Sequence, residues 1–397
     1  MSFAGWILKI DNMLWATPLI VLTFGSAVLF CIFMKFGNVT KTKLQWKLLT
    51  SGGGSQEGIS PFETFCSVAA YRVAVGNIGG VMVAIMYGGP GAVFWMIITA
   101  LVTSAIAYAE NSLGQIYKVR MDGQYRGGPY FYMERGIPIK ALGKIMALLF
   151  AVFATVGVPL LVTGPSANNI AMAFENSFGV SPLISGAVVA ILLFLVISGG
   201  VRRIAKFSTI IVPFMTIGYL IVTVIVLVGH AGAIPSTITM MVGSAFNTHA
   251  IFGGMIGGAF SYGVKRAVNS SGSGFGETPP SAAAAETPHP ATQGMVNAFS
   301  VYIDTLFVCT ATGIIMILTN TFNCVDEAGN FLIQSDILGA NADPGAPWVQ
   351  AAIGTMFSWG PHFISIALVF FAFTTCMNQM YNCESTLTYF FKGSTPK

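Results

Sequence analysis

The sequence predicts an all-α polytopic membrane protein, and three observations carry that prediction. Of 397 residues, 54% are hydrophobic and 9% charged, against about 25% charged in soluble domains, and the mean hydropathy is +0.73. Apolar runs long enough to cross the hydrocarbon core recur at about 14–36, 62–86, 91–109, 145–171, 182–200, 207–229, 250–264, 294–318 and 360–391. Two of these runs are interrupted by glycine and polar residues, at depths where unwound backbone is tolerated only against protein or a cavity.

The connections supply an orientation. Of the 19 Lys and Arg, all but Lys9 and Arg72 fall after the first, third, fifth, seventh or ninth run. They are Lys35, Lys41, Lys43 and Lys47; Lys118, Arg120, Arg126, Arg135, Lys140 and Lys144; Arg202, Arg203 and Lys206; Lys265 and Arg266; and Lys392 with Lys397. The opposite connections, including 320–347 with Asp326, Glu327, Asp336 and Asp343, carry none. The positive-inside rule then places the N-terminus outside and residue 397 inside a plasma or inner membrane. No removable leader is expected, because the first residues lack a basic stretch followed by a short apolar run and a cleavage site. Six scattered cysteines have no metal-ligand spacing, so neither a disulfide framework nor a zinc site is expected.

The first interruption is AYRVAVGNIGG, residues 70–80, within 62–86. The second is expected in AIFGGMIGGAFSYGVKRAV, residues 250–268, with Gly253, Gly254, Gly257, Gly258 and Gly263. Paired broken helices point to the binding site of a secondary transporter. With residues 1–60 set aside as an extra N-terminal helix and basic loop, 61–230 holds five spans beginning with a broken one. Residues 231–397 begin another set on the opposite face. That is the arrangement of 5+5 inverted repeats, with three helices in the second set and two expected beyond it.

The unwound stretch Ala74–Asn77 offers free backbone N–H groups to a carboxylate, with Gly76 allowing close approach and Asn77 adding an amide. A small-residue packing face is the competing reading. Arg72 lies near mid-membrane, where an unpaired charge costs about 2.5–3.5 kcal/mol. It needs a carboxylate partner from Asp304, Glu384 or Glu110, and Arg72 and Asp304 are assigned a structural or gating role. No nucleophile with an adjacent base, P-loop or metal motif is present, so no enzymatic chemistry, organic cofactor or nucleic-acid partner is expected.

The strings VGNIGGV (75–81), GGPGAVFWM (88–96), RGGPYFYMERG (126–136), GVKRA (263–267), AAAAE (282–286), HPATQG (289–294), IDTLFVCTAT (303–312) and FAFTT (371–375) make the chain resemble the alanine/glycine:cation symporter family, which has a leucine-transporter-like fold. The resemblance implies sodium-coupled symport of small neutral amino acids such as alanine or glycine by alternating access. It implies a substrate site at Val75, Gly76, Asn77, Ser166, Tyr262 and Gln379. It also implies a sodium site formed by the Ala70 and Val73 carbonyls with the Thr374 and Thr375 hydroxyls, although Thr in a helix also bonds back to its own backbone. The chain departs from the family pattern at Ser270–Gly274, where an acidic residue and an amide are absent, and at Ser166, Tyr262 and Gln379. Those departures keep two alternatives in view, a truncated or degenerate relative that does not transport and a proton-coupled carrier relying on Asp304.

Overall fold

The structure, a computed structural model, describes the chain apart from residues 1–5, 7–8, 10–12, 16, 52–57, 122, 158–162, 199, 247–255, 327–328, 340–343 and 392–397. It is predominantly helical, with two small antiparallel hairpins, β1 (Val119–Met121) with β2 (Gln124–Arg126) and β3 (Cys324–Val325) with β4 (Phe331–Ile333). The principal helices are α1 (Thr17–Phe33), α2 (Pro61–Arg72), α3 (Gly76–Gly88), α4 (Gly91–Ile116), α5 (Lys140–Gly157), α6 (Thr163–Phe178), α7 (Pro182–Ile197), α8 (Gly200–Gly229), α9 (Ile256–Ser271), α10 (Pro290–Leu318) and α11 (Gly360–Phe391).

Among the described residues, α4, α5, α8, α10 and α11 are long and apolar enough to cross a membrane, and α2 with α3 makes a sixth span bent by 42°. Helices α1 and α7 are apolar but shorter. Each of the nine predicted runs thus contains helix, but length and composition qualify six of them. The run at 145–171 holds the end of α5 (Lys140–Gly157) and the start of α6 (Thr163–Phe178), with 158–162 outside the described residues. In the string RGGPYFYMERG, Arg126 ends the first hairpin, Gly127 and Gly128 form the connection, and a short helix follows at Pro129–Gly136.

Burial separates a centre from a periphery. Most of α10 and α11 lies inside the protein, whereas most of α5 faces outward. The outward residues of α5, α7 and α8 include Leu149, Phe153, Ile184, Phe194, Phe214 and Val228, an apolar surface that a bilayer accommodates and water does not. The α2 helix packs against α8, α10 and α11, whereas α3 packs against α9; α4 lies across α9 and α10.

The first break is where the sequence predicts it. Helix α2 starts at a capping box, in which the Ser60 hydroxyl accepts from the Glu63 amide and the Glu63 carboxylate accepts from the Ser60 amide, with Pro61 at the first helical position. It ends at Arg72, and α3 begins four residues later at Gly76.

In the described part of the second expected stretch, 256–268, the chain is helical. Gly253 and Gly254 lie outside the described residues, but α9 runs unbroken through Gly257, Gly258 and Gly263 to Ser271. A Cβ at Gly263 would lie 2.6 Å from the Ala92 carbonyl oxygen and 2.7 Å from Trp95 Cβ. This glycine therefore serves close helix packing, the competing reading of such stretches. The chain unwinds at 272–278, where Gly272, Gly274 and Gly276 take φ values of +56°, +90° and +76°, a region that side chains disfavour. The short helix Pro279–Ala283 follows. A consequence is that Lys265 and Arg266 lie within α9 and not in a connection.

The remaining charge asymmetry still makes a testable topology. Gly123 and Gly232 have open space where a side chain would stand. In intact cells, a cysteine at Gly232 is expected to react with a membrane-impermeant maleimide and one at Gly123 is not; labelling of Gly123 alone would reverse the orientation.

Candidate substrate and ion site between two breaks

Nothing in Val73-Ala74-Val75 forbids a helix, so the first break is held by what its two ends touch. The Val73 amide still bonds the Ala69 carbonyl, but the Ala74 amide turns to Arg72 O and the Asn77 amide to Ala74 O. Among the described residues, the Val75 amide and the Val73 carbonyl have no backbone partner. Such groups need a partner when buried.

One end is clamped through Arg72. Its fully buried guanidinium lies 3.6 Å from Glu110 Oε1 on α4 and donates to Ser273 Oγ at 3.4 Å and Thr278 Oγ1 at 3.5 Å. Glu110 also accepts from the Gly274 amide at 3.0 Å, the Gly276 amide at 3.4 Å and the Thr278 hydroxyl at 3.0 Å. One carboxylate thus satisfies the cation at the end of α2 and the loose amides of the second break. Of the three carboxylates weighed for Arg72, Glu110 forms the pair. Glu384 instead pairs with Arg126 at 2.7 Å.

The other end is clamped through Asn77. Its side-chain amide donates to Asp304 Oδ1 at 2.5 Å, while the Ser270 hydroxyl at the end of α9 lies 3.0–3.1 Å from Asn77 Oδ1 and both Asp304 oxygens. The Thr305 hydroxyl donates to Asp304 Oδ2 at 2.6 Å. Asp304 stands on a π-helical stretch, Tyr302–Cys309, within α10, a local irregularity common at functional sites.

Beside the first break lies a cavity of about 530 Å³, within the usual range for small-molecule sites. Its walls include the stretch Ala74–Asn77, Ser166 and Asn169 of α6, Arg266 and Ser270 of α9, Glu277, and Thr375 of α11. Arg266 rests on the glycine face of α3: a Cβ at Gly76 would come within 2.7 Å of its Nη2, and one at Gly80 would overlap Nη1. Its Nε has no hydrogen-bond partner among the described residues.

The predicted site residues separate into two groups. Val75, Gly76, Asn77 and Ser166 line the cavity, whereas Tyr262 and Gln379 do not. Tyr262 stacks on Tyr87 at the far end of α3, and Gln379 is fully buried one turn beyond Thr375. Of the expected ion ligands, Thr375 donates to Phe371 O at 2.8 Å and reaches Ala70 O at 3.5 Å. Thr374 donates only within its helix, to Phe370 O and Phe371 O. Sequence reasoning missed Arg266, Ser270 and Glu277. The helical spacing of Arg266 and Ser270, which places both on one face of α9, was the available signal for the first two.

A family profile described as the sodium:alanine symporter family matches residues 1–396. The chain belongs to that family. The carrier protein YrbD of Bacillus subtilis is 42% identical over 395 residues, covering 99% of this chain and 80% of that one. The sodium/alanine symporter AgcS of Methanococcus maripaludis is 34% identical over 396 residues, covering 98% and 84%. Among solved structures, a Na⁺-coupled sialic acid symporter superposes with a TM-score of 0.55 at 14% identity over 94% of this chain and 75% of that one. A manganese transporter of Eremococcus coleocola gives 0.58 at 11% identity over 84% and 66%. The fold is therefore the leucine-transporter-like fold of these transporters.

The Arg72–Glu110 clamp has a measurable signature. Removing one partner of a buried pair costs about 3–5 kcal/mol, because the other charge is left uncompensated. In detergent, Arg72→Leu and Glu110→Leu are each expected to lower the melting temperature sharply, with the double variant recovering much of the loss. A double variant as unstable as the summed singles would show that the two do not act as a pair.

Proposed function

We propose that the chain performs sodium-coupled symport of a small neutral amino acid of the alanine or glycine type by alternating access in a cell membrane. The observation that carries this reading is that the end of α2 and the break that follows it reach both the cavity and Thr375 of α11. The 74–77 stretch lines the cavity, and the Ala70 carbonyl lies 3.5 Å from the Thr375 hydroxyl.

The substrate carboxylate faces the free amide at Val75 and the amides that follow it, near the dipole-positive start of α3. Arg266, resting on the Gly76 and Gly80 face of α3, adds positive potential beside these amides. Ser166 and Asn77 supply polar contacts that orient the ligand. The sodium ion takes oxygens from Ala70, Val73 and Thr375, with Thr374 turned toward its own helix as a support. Binding at either site orders the same three or four residues, which is a physical route to coupling. Asp304 and Arg72 hold the ends of the segment and do not contact substrate.

The test is uptake of radiolabelled alanine into proteoliposomes, with sodium replaced by choline at constant pH. Uptake is expected to require sodium, and equal uptake in choline would refute the coupling. Thr375→Ala removes a contact worth about 1–3 kcal/mol, so the half-saturating sodium concentration is expected to rise roughly 5- to 150-fold. Thr374→Ala should shift it far less, and Thr375→Ser should be mild.

A further inference from the structure

Behind the central cavity lies a smaller pocket of about 180 Å³, lined by Tyr130, Phe150, Phe275, Glu277, Asn382 and Thr386 among others. Glu277 and Phe275 belong to the walls of both spaces. At their boundary, four buried polar atoms have no well-formed hydrogen bond among the described residues: Glu277 Oε2, Gln379 Oε1 and Nε2, and Asn382 Oδ1. Gln379 is 0% and Asn382 6% exposed. The Asn382 amide donates to the Glu277 backbone carbonyl at 2.7 Å, which ties the second break to α11 at this level. Gln379 lies within loose hydrogen-bonding reach of the Glu277 carboxylate. Glu277 takes part in neither the Arg72–Glu110 pair nor the Arg126–Glu384 pair.

We propose that Glu277, Gln379 and Asn382 form a second binding site for a monovalent cation, one helical turn beyond Thr375. The chemistry is that of an oxygen cage: a half-buried carboxylate and two buried amide oxygens, one negative charge in all. A partly desolvated carboxylate without a counter-charge favours a cation beside it. Hard cations take oxygen ligands, and a single carboxylate suits a monovalent ion better than a divalent one, whose sites carry more charge. Thr375, Gln379, Asn382 and Thr386 follow one another at four, three and four residues, so they share one face of α11. That face leads from the central cavity to the smaller pocket. The site therefore receives the ion as it leaves Thr375, and the inference rests on the sodium-coupling reading for the identity of that ion.

Saturation binding of ²²Na⁺ to the purified full chain, by scintillation proximity, tests it. The wild type is expected to bind two ions per chain. Glu277→Gln should lose one, Gln379→Leu should weaken that same one at least tenfold, and Thr375→Ala should weaken the other. Gln379→Leu keeps the carboxylate, so it decides the matter if Glu277→Gln does not fold. Wild-type stoichiometry and affinity in both Glu277→Gln and Gln379→Leu would overturn the proposal and leave sodium coupling standing. So would a wild type with one ion that Thr375→Ala alone removes. Two retained ions with lost alanine binding in Glu277→Gln would assign the carboxylate to the substrate ammonium instead. Two retained ions with lost response to a pH jump would assign it to a proton. A wild type that binds no ²²Na⁺ would overturn the sodium reading itself, and this site with it.

Discussion

The structure depends on keeping three residues, Val73 to Val75, out of a helix that their own chemistry would permit. Each end is pulled to a different partner: Arg72 to Glu110 and Asn77 to Asp304. Both partners are also bonded to the chain at or beside the second break, Glu110 to Gly274, Gly276 and Thr278 and Asp304 to Ser270. The two breaks are thus stapled to each other at two levels. The energetic logic is that of buried charge: each carboxylate and the guanidinium needs polar partners, and the unwound geometry brings Glu110 and Asp304 within reach of them.

Coupling follows from economy of parts. The cavity, the candidate sodium ligands and the amides proposed to face the substrate carboxylate all draw on the segment from Ala70 to Asn77. A ligand that orders this segment lowers the ordering cost for the next one, and thermodynamic linkage requires the effect to be mutual. Arg266, pressed on the Gly76 and Gly80 surface, also makes those positions intolerant of any side chain without displacing a cation from the cavity wall.

How much of this could be read in advance depended on how specific each local signal was. Gly-rich polar sequence inside an apolar run located the first break because the charged Arg72 and the amide of Asn77 sit within it, and both demand partners at depth. The same glycine signal misled at 256–268, because glycine inside a helix equally allows close packing, as Gly263 does against α4. The break at 272–278 was recorded in the sequence as Gly272, Gly274 and Gly276, but their positive φ angles are visible only in three dimensions. Thr375 and Thr374 entered together through the family resemblance of FAFTT, and the structure separates them, since adjacent helical residues point in different directions and only Thr375 reaches Ala70. Arg266 was read as a connection charge since nothing in the sequence shows that α9 continues past it. Glu277 escaped notice because its importance lies in bringing a carboxylate beside Gln379 and Asn382, more than a hundred residues away along the chain.

The account stands or falls on the claim that alanine and sodium share the end of α2 and the break that follows it. Equilibrium binding of radiolabelled alanine and of ²²Na⁺ to the purified chain, each titrated at fixed concentrations of the other, tests it most directly. Sodium is expected to tighten alanine binding by the same factor by which alanine tightens sodium, with both factors collapsing toward one in Thr375→Ala. Alanine affinity that is identical in sodium and in choline would contradict the account.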